Sequence, residues 1–218
     1  MKLYHYVHCP FCVRVRMALG LLNLEYKSIV LPYDDEKTPL DLMGKKMLPI
    51  FEFKDGDEDE TTSNESLQII QRLDQRNILK NELIKEPRFK ELEELLSKIG
   101  SDVHSLCMPY WIWTPEFNDS SRKYFTDKKE VKRGPFKKLI QNKDQYLNSL
   151  NKTLEELESE LGDFYQSDEL TILDICLASH LWGMYIFPEF QFSEKIDQYL
   201  KRVKSLTRFE YHEDFWKD

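Results

Sequence analysis

The sequence has few cysteines, no long apolar run and no long basic run, and each absence excludes a class of protein. Only four of the 218 residues are cysteine, too few for a small secreted domain held by disulfides, so a reducing cytosol is the expected compartment. A bilayer-spanning helix needs about 18 consecutive apolar residues, and the sequence has no such stretch. Residues 1–6 are not typical of a signal peptide. Acidic residues outnumber basic ones, 39 to 31, which argues against nucleic acid or an anionic membrane as partner.

The composition is that of a folded chain, with 41% hydrophobic and 13% aromatic residues. Such a chain can bury a packed core, and its length suits one large or two small domains. The pattern changes at a connector, residues 77–87, from alternating strands and helices to helices alone. We therefore predict an α/β domain over residues 1–76 and an all-α domain over residues 88–218.

The first domain is predicted to have the order βαβ-α-ββα. Its predicted strands are residues 2–7, 25–31, 49–54 and 60–62, and its predicted helices are residues 11–22, 38–43 and 66–73. Thr38 is the expected cap of the second helix, and Arg14 and Arg16 are expected on the more polar side of the first. Asp55-Gly56 is typical of a hairpin turn, which makes the last two strands antiparallel.

The second domain shows apolar residues at helical spacing. Its predicted helices are residues 89–106, 137–161, 171–187 and 195–206. Cys107 and Cys176 lie in apolar helical surroundings and are predicted to belong to the core. The aromatic run 110–113 is expected either to line a cleft between the domains or to pack between them, the second being favoured.

The motif Cys9-Pro10-Phe11-Cys12 lies where the first strand ends and the first helix begins. A thiol at the start of a helix is close to unpaired backbone N–H groups and to the positive end of the helix dipole, and both favour the thiolate. Cys9 is therefore predicted to have a lowered pKa and to be the attacking sulfur. Cys12, one turn later on the same side, is placed to close a disulfide and is the less reactive thiol.

Three other interpretations of this pair are weaker. Zinc held by His5, His8, Cys9 and Cys12 is disfavoured because no second Cys-x-x-Cys occurs and a two-residue loop with strand histidines rarely completes a tetrahedron. A permanent structural disulfide is uncommon in the cytosol. A chance pair is disfavoured by its position between strand and helix.

A second candidate region lies downstream of the cysteines. Pro49 follows Met47 and Leu48 just before the third strand, and X-Pro bonds are the ones that adopt the cis form. Asn64-Glu65-Ser66 opens the next helix, where backbone N–H groups and the Ser66 hydroxyl offer a site for a carboxylate. Ser66 as a simple helix cap is an equally open interpretation.

Together these segments resemble the thioredoxin fold of glutathione-handling proteins. Thr171-Ile172-Leu173-Asp174 is similar to the capping box of the central helix in glutathione-transferase C-terminal domains. More narrowly, the chain resembles the glutaredoxin 2 family of bacteria, two-domain glutaredoxins built like a transferase. This likeness is carried by the Cys-Pro-Phe-Cys motif and by residues 1–4, 38–39, 44–46 and 122–130.

The resemblance implies a thioredoxin-like α/β domain followed by an all-α, glutathione-transferase-like domain. It also implies glutathione-dependent thiol–disulfide exchange, in which Cys9 attacks protein–glutathione mixed disulfides and Cys12 resolves the adduct for protein disulfides. Glutathione would be a cosubstrate, with no bound cofactor and no metal. The implied partners are glutathione and glutathionylated or disulfide-containing proteins, and the implied state is a cytoplasmic monomer.

The same resemblance implies a set of glutathione contacts: Phe11, Lys46, Leu48, Pro49, Glu65 and Ser66. In that superfamily the residue before a cis-proline, here Leu48, pairs its backbone with the cysteinyl unit. The pair Glu65-Ser66 holds the γ-glutamyl end, and Lys46 or Lys45 meets the glycyl carboxylate. The chain departs from the family pattern at Phe11, where Tyr is usual, and at Asn64, where Pro is common.

Two rival functions stay open on the sequence. A cysteine-type glutathione transferase would use the same Cys9 on small electrophiles, although two cysteines favour redox exchange. A non-enzymatic binding module is the other, because intracellular chloride-channel-type proteins carry a Cys-Pro-Phe-Cys motif on this fold. The Arg14 and Arg16 pair and the lack of a membrane-length apolar helix weaken that second rival.

Overall fold

Four short strands and three helices form the first part of the chain. The computed structural model describes residues 1–53, 62–114 and 116–209. The elements of the first part are β1 (Lys2–His5), α1 (Pro10–Leu21), β2 (Lys27–Val30), α2 (Lys37–Met43), β3 (Ile50–Glu52), β4 (Thr62–Ser63) and α3 (Ser66–Leu73).

The sheet has the strand order β2-β1-β3-β4. Strand β1 runs parallel to β2 and antiparallel to β3, with Leu3 opposite Ser28 and Phe51. Strands β3 and β4 are antiparallel, which confirms the predicted pairing, while the Asp55-Gly56 turn lies outside the described residues. The parallel β1–β2 pair needs a crossover, and α1 supplies it, so the sharp passage from β1 into α1 lies at one edge of the sheet.

The second part is helical, as predicted. It contains a short 3₁₀ helix (Asn81–Lys85), α4 (Pro87–Trp111), α5 (Asp119–Arg133), α6 (Phe136–Gln141), α7 (Lys143–Glu160), α8 (Ile172–Leu181), a second 3₁₀ helix (Trp182–Ile186) and α9 (Glu194–Thr207). Every residue of α8 is buried, and Thr171 caps it in a reciprocal capping box with Asp174. None of the described helices is long and apolar enough to cross a membrane.

The two parts share one hydrophobic core. Helix α1 packs on α8 and α9, and the approach is so close at Gly20 that a Cβ there would lie 1.8 Å from the carbonyl oxygen of Thr207. The prediction that Arg14 lies on a polar face was wrong. Arg14 is only 6% exposed, because the helical part covers the side of α1 that an isolated domain would leave in water.

Two local predictions also needed correction, and one helix was missed. Thr38 is not the cap of α2; the helix begins at Lys37, and the Asp35 carboxylate accepts the Thr38 N–H and hydroxyl. The single helix predicted over residues 137–161 is two helices, separated at Asn142. Helix α5 was not predicted, since only Ser121 and Phe125 of its fifteen residues are buried.

Candidate active site

The turn from β1 into α1 holds Cys9 at the helix start. Cys9 is the N-cap residue with an extended backbone (φ −78°, ψ 120°), and Pro10 is the first helical residue. Pro10 has no N–H, which costs nothing at a position where the helix leaves that group unpaired. The Cys9 carbonyl already accepts the Val13 N–H at 2.9 Å. The first predicted feature of the site, a cysteine at a helix N-terminus, is confirmed.

The two thiols of the motif lie in different surroundings. Cys9 is partly exposed, whereas Cys12 is fully buried, and neither is in a disulfide. A hydrogen bond from the Cys12 thiol lowers the pKa of Cys9, the backbone N–H groups of Cys12 and Phe11 and the charge of Arg14 lower it further, and burial opposes them. Burial raises the pKa of Cys12 well above its usual value, and donation to Cys9 raises it further. The geometry therefore favours a thiolate at Cys9 and a protonated thiol at Cys12, in the direction predicted.

A cavity of about 250 Å³ opens beside Cys9 where the two parts of the chain meet. Its first wall comes from the α/β part and includes Tyr6, Phe11, Tyr33, Lys46 and Leu48. Its second wall comes from α4 and α5 and consists of His104, Met108, Trp111, Phe125 and Lys129. A nucleophilic sulfur in the lining of a mixed apolar and cationic cleft is suited to attack the disulfide bond of a ligand that binds there.

Three of the glutathione contacts predicted from the sequence, Phe11, Lys46 and Leu48, line this cavity together with Cys9. Leu48 is buried, and its bond to Pro49 is cis. Phe11 is 46% exposed at the mouth, under the guanidinium of Arg14 at 4.8 Å from its ring centroid. Phe11 therefore offers an apolar surface next to Cys9, without a hydroxyl.

The lysine of the first wall, Lys46, is held by several partners. Its ammonium group donates to the Tyr33 carbonyl at 2.7 Å, lies 3.8 Å from the Glu36 carboxylate and is 4.0 Å from the Tyr124 ring centroid. Tyr124 in turn donates a hydrogen bond to Glu36. This cluster joins the loop before α2 to α5, so it connects the two walls at the rim of the cavity.

Glu65 and Ser66 lie at the start of α3, outside the lining of the cavity. Glu65 occupies the N-cap position with no side-chain cap, and Ser66 is the first helical residue. Ser66 is thus not the helix cap, which excludes the simpler interpretation of that residue. The Glu65 carboxylate lies 3.7 Å from the Lys45 ammonium group, both half-exposed.

His8, next to Cys9, is buried in a cage of aromatic rings. Its ring centroid lies 5.2 Å from that of Trp111 and 5.4 Å from that of Phe117, and its Nδ1 is 3.4 Å from Oε1 of Glu116. His5 points elsewhere: its Nε2 lies 2.7 Å from the Ser28 hydroxyl, and burial lowers its pKa to about 3. Within residues 1–53, 62–114 and 116–209, no group of three or more His, Cys, Asp or Glu side chains is arranged to hold a metal ion.

The second wall was mostly missed by sequence reasoning. Trp111 lines the cavity and is also packed between the two parts, at 2% exposure, so both interpretations of the aromatic run hold for this residue. The spacing of His104, Met108 and Trp111 on α4, and of Phe125 and Lys129 on α5, places each set on one helix face. That spacing was the available signal, but only the packing of the helices shows which face meets Cys9.

Two family models and a curated relative match this chain. Residues 91–215 match the family model described as glutaredoxin 2, C terminal domain, and residues 3–79 match that of the glutathione S-transferase N-terminal domain. Glutaredoxin 2 of Escherichia coli K12 is 33% identical over 161 residues, which covers 72% of each chain. The chain belongs to the glutaredoxin 2 family.

Solved structures agree with this family assignment. Glutaredoxin 2 of Salmonella typhimurium, solved in complex with glutathione, superposes with a TM-score of 0.83 at 28% identity, over 96% of this chain and 95% of that one. A glutathione transferase from Phanerochaete chrysosporium has a TM-score of 0.78 at 16% identity, over 96% and 97% of the two chains. The second likeness is one of fold alone. This glutaredoxin 2 family member therefore has the predicted thioredoxin-like domain followed by a transferase-like helical domain.

Proposed function

We propose that this chain is a glutathione-dependent thiol–disulfide oxidoreductase that reduces protein–glutathione mixed disulfides and protein disulfides through Cys9 and Cys12. The observation that carries the proposal is the partly exposed Cys9 at the start of α1, with a lowered pKa and a hydrogen bond from the buried Cys12 thiol. Membership of the glutaredoxin 2 family and the glutathione bound by the Salmonella relative support it.

The reaction consists of two exchanges. The Cys9 thiolate attacks the glutathione sulfur of a mixed disulfide, a Cys9–glutathione disulfide forms, and the protein thiolate leaves. The thiolate of a second glutathione then attacks that adduct, releases glutathione disulfide and restores the Cys9 thiolate. With an intramolecular protein disulfide as substrate, Cys12 loses its proton and displaces the bound protein from Cys9, which leaves a Cys9–Cys12 disulfide for glutathione to reduce.

The proposed glutathione contacts all come from the α/β part. Leu48, before the cis Pro49, presents its backbone in the cavity to the cysteinyl unit, and Lys46 is the cation for the glycyl carboxylate. Glu65 and Ser66 receive the γ-glutamyl end at the start of α3, and Phe11 covers one side at the mouth. The Glu65 to Lys45 pair is half-exposed, so a ligand amine competes for Glu65 at little cost.

The proposal extends to the organisation of the chain. The domains are residues 1–76 and 88–218 with a connector over residues 77–87, and the two family models, which match residues 3–79 and 91–215, support a division near that connector. The partners are glutathione and glutathionylated or disulfide-containing proteins. A dithiol that is recycled by glutathione suits a reducing, cytoplasmic compartment, and the proposed state is a monomer.

The deciding experiment is glutathione-dependent reduction of a glutathionylated peptide by the wild type, Cys9→Ser and Cys12→Ser. We expect turnover to persist without Cys12 and to fall to the uncatalysed rate without Cys9, because only Cys9 attacks mixed disulfides. Cys107→Ala is the matched control, since Cys107 is buried in α4 away from the cavity lining. A wild type that binds glutathione without turnover would contradict the proposal and favour the transferase or binding-module alternatives.

A further inference from the structure

One cation of the second wall has no function in the scheme above. Lys129 lies on α5 and lines the cavity into which Cys9 opens. Its ammonium nitrogen lies 5.4 Å from the ring centroid of Phe125 and 5.8 Å from that of Tyr33. The side chain is half-buried, so its charge is less screened by water than that of a surface lysine.

The two lysines of the cavity differ in how their charge is neutralised. Lys46 has the Glu36 carboxylate 3.8 Å away and the Tyr33 carbonyl as acceptor. Lys129 has neither a carboxylate within 4 Å nor a hydrogen-bond acceptor in the part of the chain that the structure describes. Its positive charge is therefore available to an anion inside the cavity.

The other charged and titratable groups around Lys129 do not supply a positive charge to the lining of the second wall. Burial lowers the pKa of His104 to about 3, so the ring is neutral at neutral pH. Arg133 is directed away, to the Ser101 carbonyl and the Ser105 hydroxyl. Burial, Lys132, Arg133 and Lys128 lower the pKa of Lys129, and the Cys9 thiolate opposes them.

We propose that Lys129 is the counter-charge that the second wall of the cavity supplies to the sulfur chemistry at Cys9. Its ammonium group, brought by the helical domain, stabilises the Cys9 thiolate and then the thiolate that leaves. The claim about the leaving thiolate rests on the proposed function, whereas the claim about the Cys9 thiolate rests only on the geometry of the cavity.

The exchange step shows why one cation serves both sulfurs. The electron pair of the Cys9 thiolate forms the new bond to the glutathione sulfur, the old S–S bond breaks, and its electron pair leaves on the protein sulfur. No net oxidation or reduction occurs, and one negative charge moves from Cys9 to the departing sulfur. An ammonium group on the opposite wall of a partly desolvated cavity interacts with that charge at both ends of its path.

The first test measures ionisation of Cys9 without glutathione. Rates of Cys9 alkylation by iodoacetamide are followed against pH by mass spectrometry in the reduced wild type, Lys129→Met, Lys129→Arg and Lys132→Met. Removing a nearby opposite charge is expected to raise the thiol pKa by about one unit, and the higher nucleophilicity of a more basic thiolate partly offsets this. Lys129→Met should therefore react about threefold more slowly at about pH 6.

The other two variants separate an effect of the Lys129 charge from other effects of the substitution. Lys129→Arg keeps the charge and should keep the wild-type profile, while Lys132→Met removes an exposed charge from the same helix and should also leave it unchanged. Urea unfolding of each variant confirms that the fold is intact. An unchanged midpoint in Lys129→Met, or an equal shift in Lys132→Met, would overturn the assignment.

The second test is a single turnover with a glutathionylated peptide at the same pH. Lys129→Met should form the Cys9–glutathione adduct more than threefold more slowly than Lys129→Arg, because the leaving thiolate also loses its counter-charge. If the wild type forms no adduct while Lys129→Met still shows the slower alkylation, the proposed function is refuted and Lys129 is upheld as a counter-charge of Cys9. A slowing of adduct formation no greater than that of alkylation would refute the part that concerns the leaving thiolate.

Discussion

The four cysteines lie in two regions, and only in the first of them is the pKa of a thiol lowered. At the start of α1, the hydrogen bond from Cys12 and the helix N–H groups lower the pKa of Cys9. In the middle of α4 and α8, Cys107 and Cys176 are fully buried, and burial raises the pKa of both thiols. The residue type is the same, so the position on the helix decides whether a cysteine is a nucleophile or a core side chain.

Burial also keeps two histidines neutral at neutral pH. His180, one turn after Cys176 on α8, donates from Nδ1 to the Cys176 carbonyl at 3.0 Å, and burial lowers its pKa to about 3. Burial has the same effect on His5 in β1. The active-site turn differs from these sites because hydrogen-bond donors and the charge of Arg14 favour the charged form of one sulfur.

The largest expected contrast is in alkylation. In the folded, reduced protein Cys9 should react with iodoacetamide at least about a thousandfold faster than Cys107 or Cys176, since the buried thiols react only after an opening that approaches global unfolding, about 5 kcal/mol or more. Residue-resolved mass spectrometry over time measures the three rates. In urea the rates should converge, and fast labelling of Cys107 in the native state would contradict the division into two regions.

The second contrast concerns the free energy of unfolding at acid pH. The unfolded chain protonates His5, His104 and His180 near pH 6.5, while the folded chain does so only near pH 3. The unfolded state therefore binds more protons between these values, and the free energy of unfolding falls as the pH falls from neutral. At about pH 5.5 the loss is up to about 1.4 kcal/mol for each histidine, or about 4 kcal/mol for the three together.

Urea titrations at neutral pH and at about pH 5.5 measure this loss, and His180→Gln isolates one residue. The variant should lose roughly a third of the pH dependence that the three histidines contribute, whatever its stability at neutral pH. An exposed histidine would give no such difference between variant and wild type. Equal pH dependence in the two proteins would show that His180 is protonated in the folded state.

Local signals made part of the fold and site predictable. Pro10 after a short aromatic strand located the start of α1, and with it Cys9. Thr171 and Asp174 located the start of α8 through a capping box that needs only four residues. Helix α5 escaped because its surface is almost wholly polar, although Asn118 with Ser121 at its start and Gly134 after its end are ordinary boundary signals.

What the sequence could not show depends on packing between distant elements. The leucine spacing continues through Asn142, so periodicity alone does not reveal the break between α6 and α7. Arg14 is on a helix face that is polar by composition but covered by the helical domain. Trp111 and Lys129 line the same cavity as Cys9 only because α4 and α5 pack beside the turn, a long-range arrangement with no local signature.

The smallest expected effect tests the hydrogen bond inside the motif. Cys12→Ala removes the thiol donor to Cys9, and a hydrogen bond to a charged acceptor contributes about 1.5 kcal/mol, or about one pKa unit. The pKa of Cys9 should therefore rise by about one unit in Cys12→Ala. The ultraviolet absorbance of the thiolate against pH reports it directly.

Cys12→Ser is the matched control for that measurement, because a hydroxyl of similar size keeps a donor at the same place. Its Cys9 pKa should stay near the wild-type value, whereas a simple volume effect would move both variants alike. If Cys12→Ala also left the pKa of Cys9 in place, the backbone N–H groups at the start of α1 and the nearby positive charges would suffice to hold the thiolate. Cys12 would then differ from Cys107 and Cys176 only in its access to Cys9, and the division between the two regions would not depend on the Cys12 thiol.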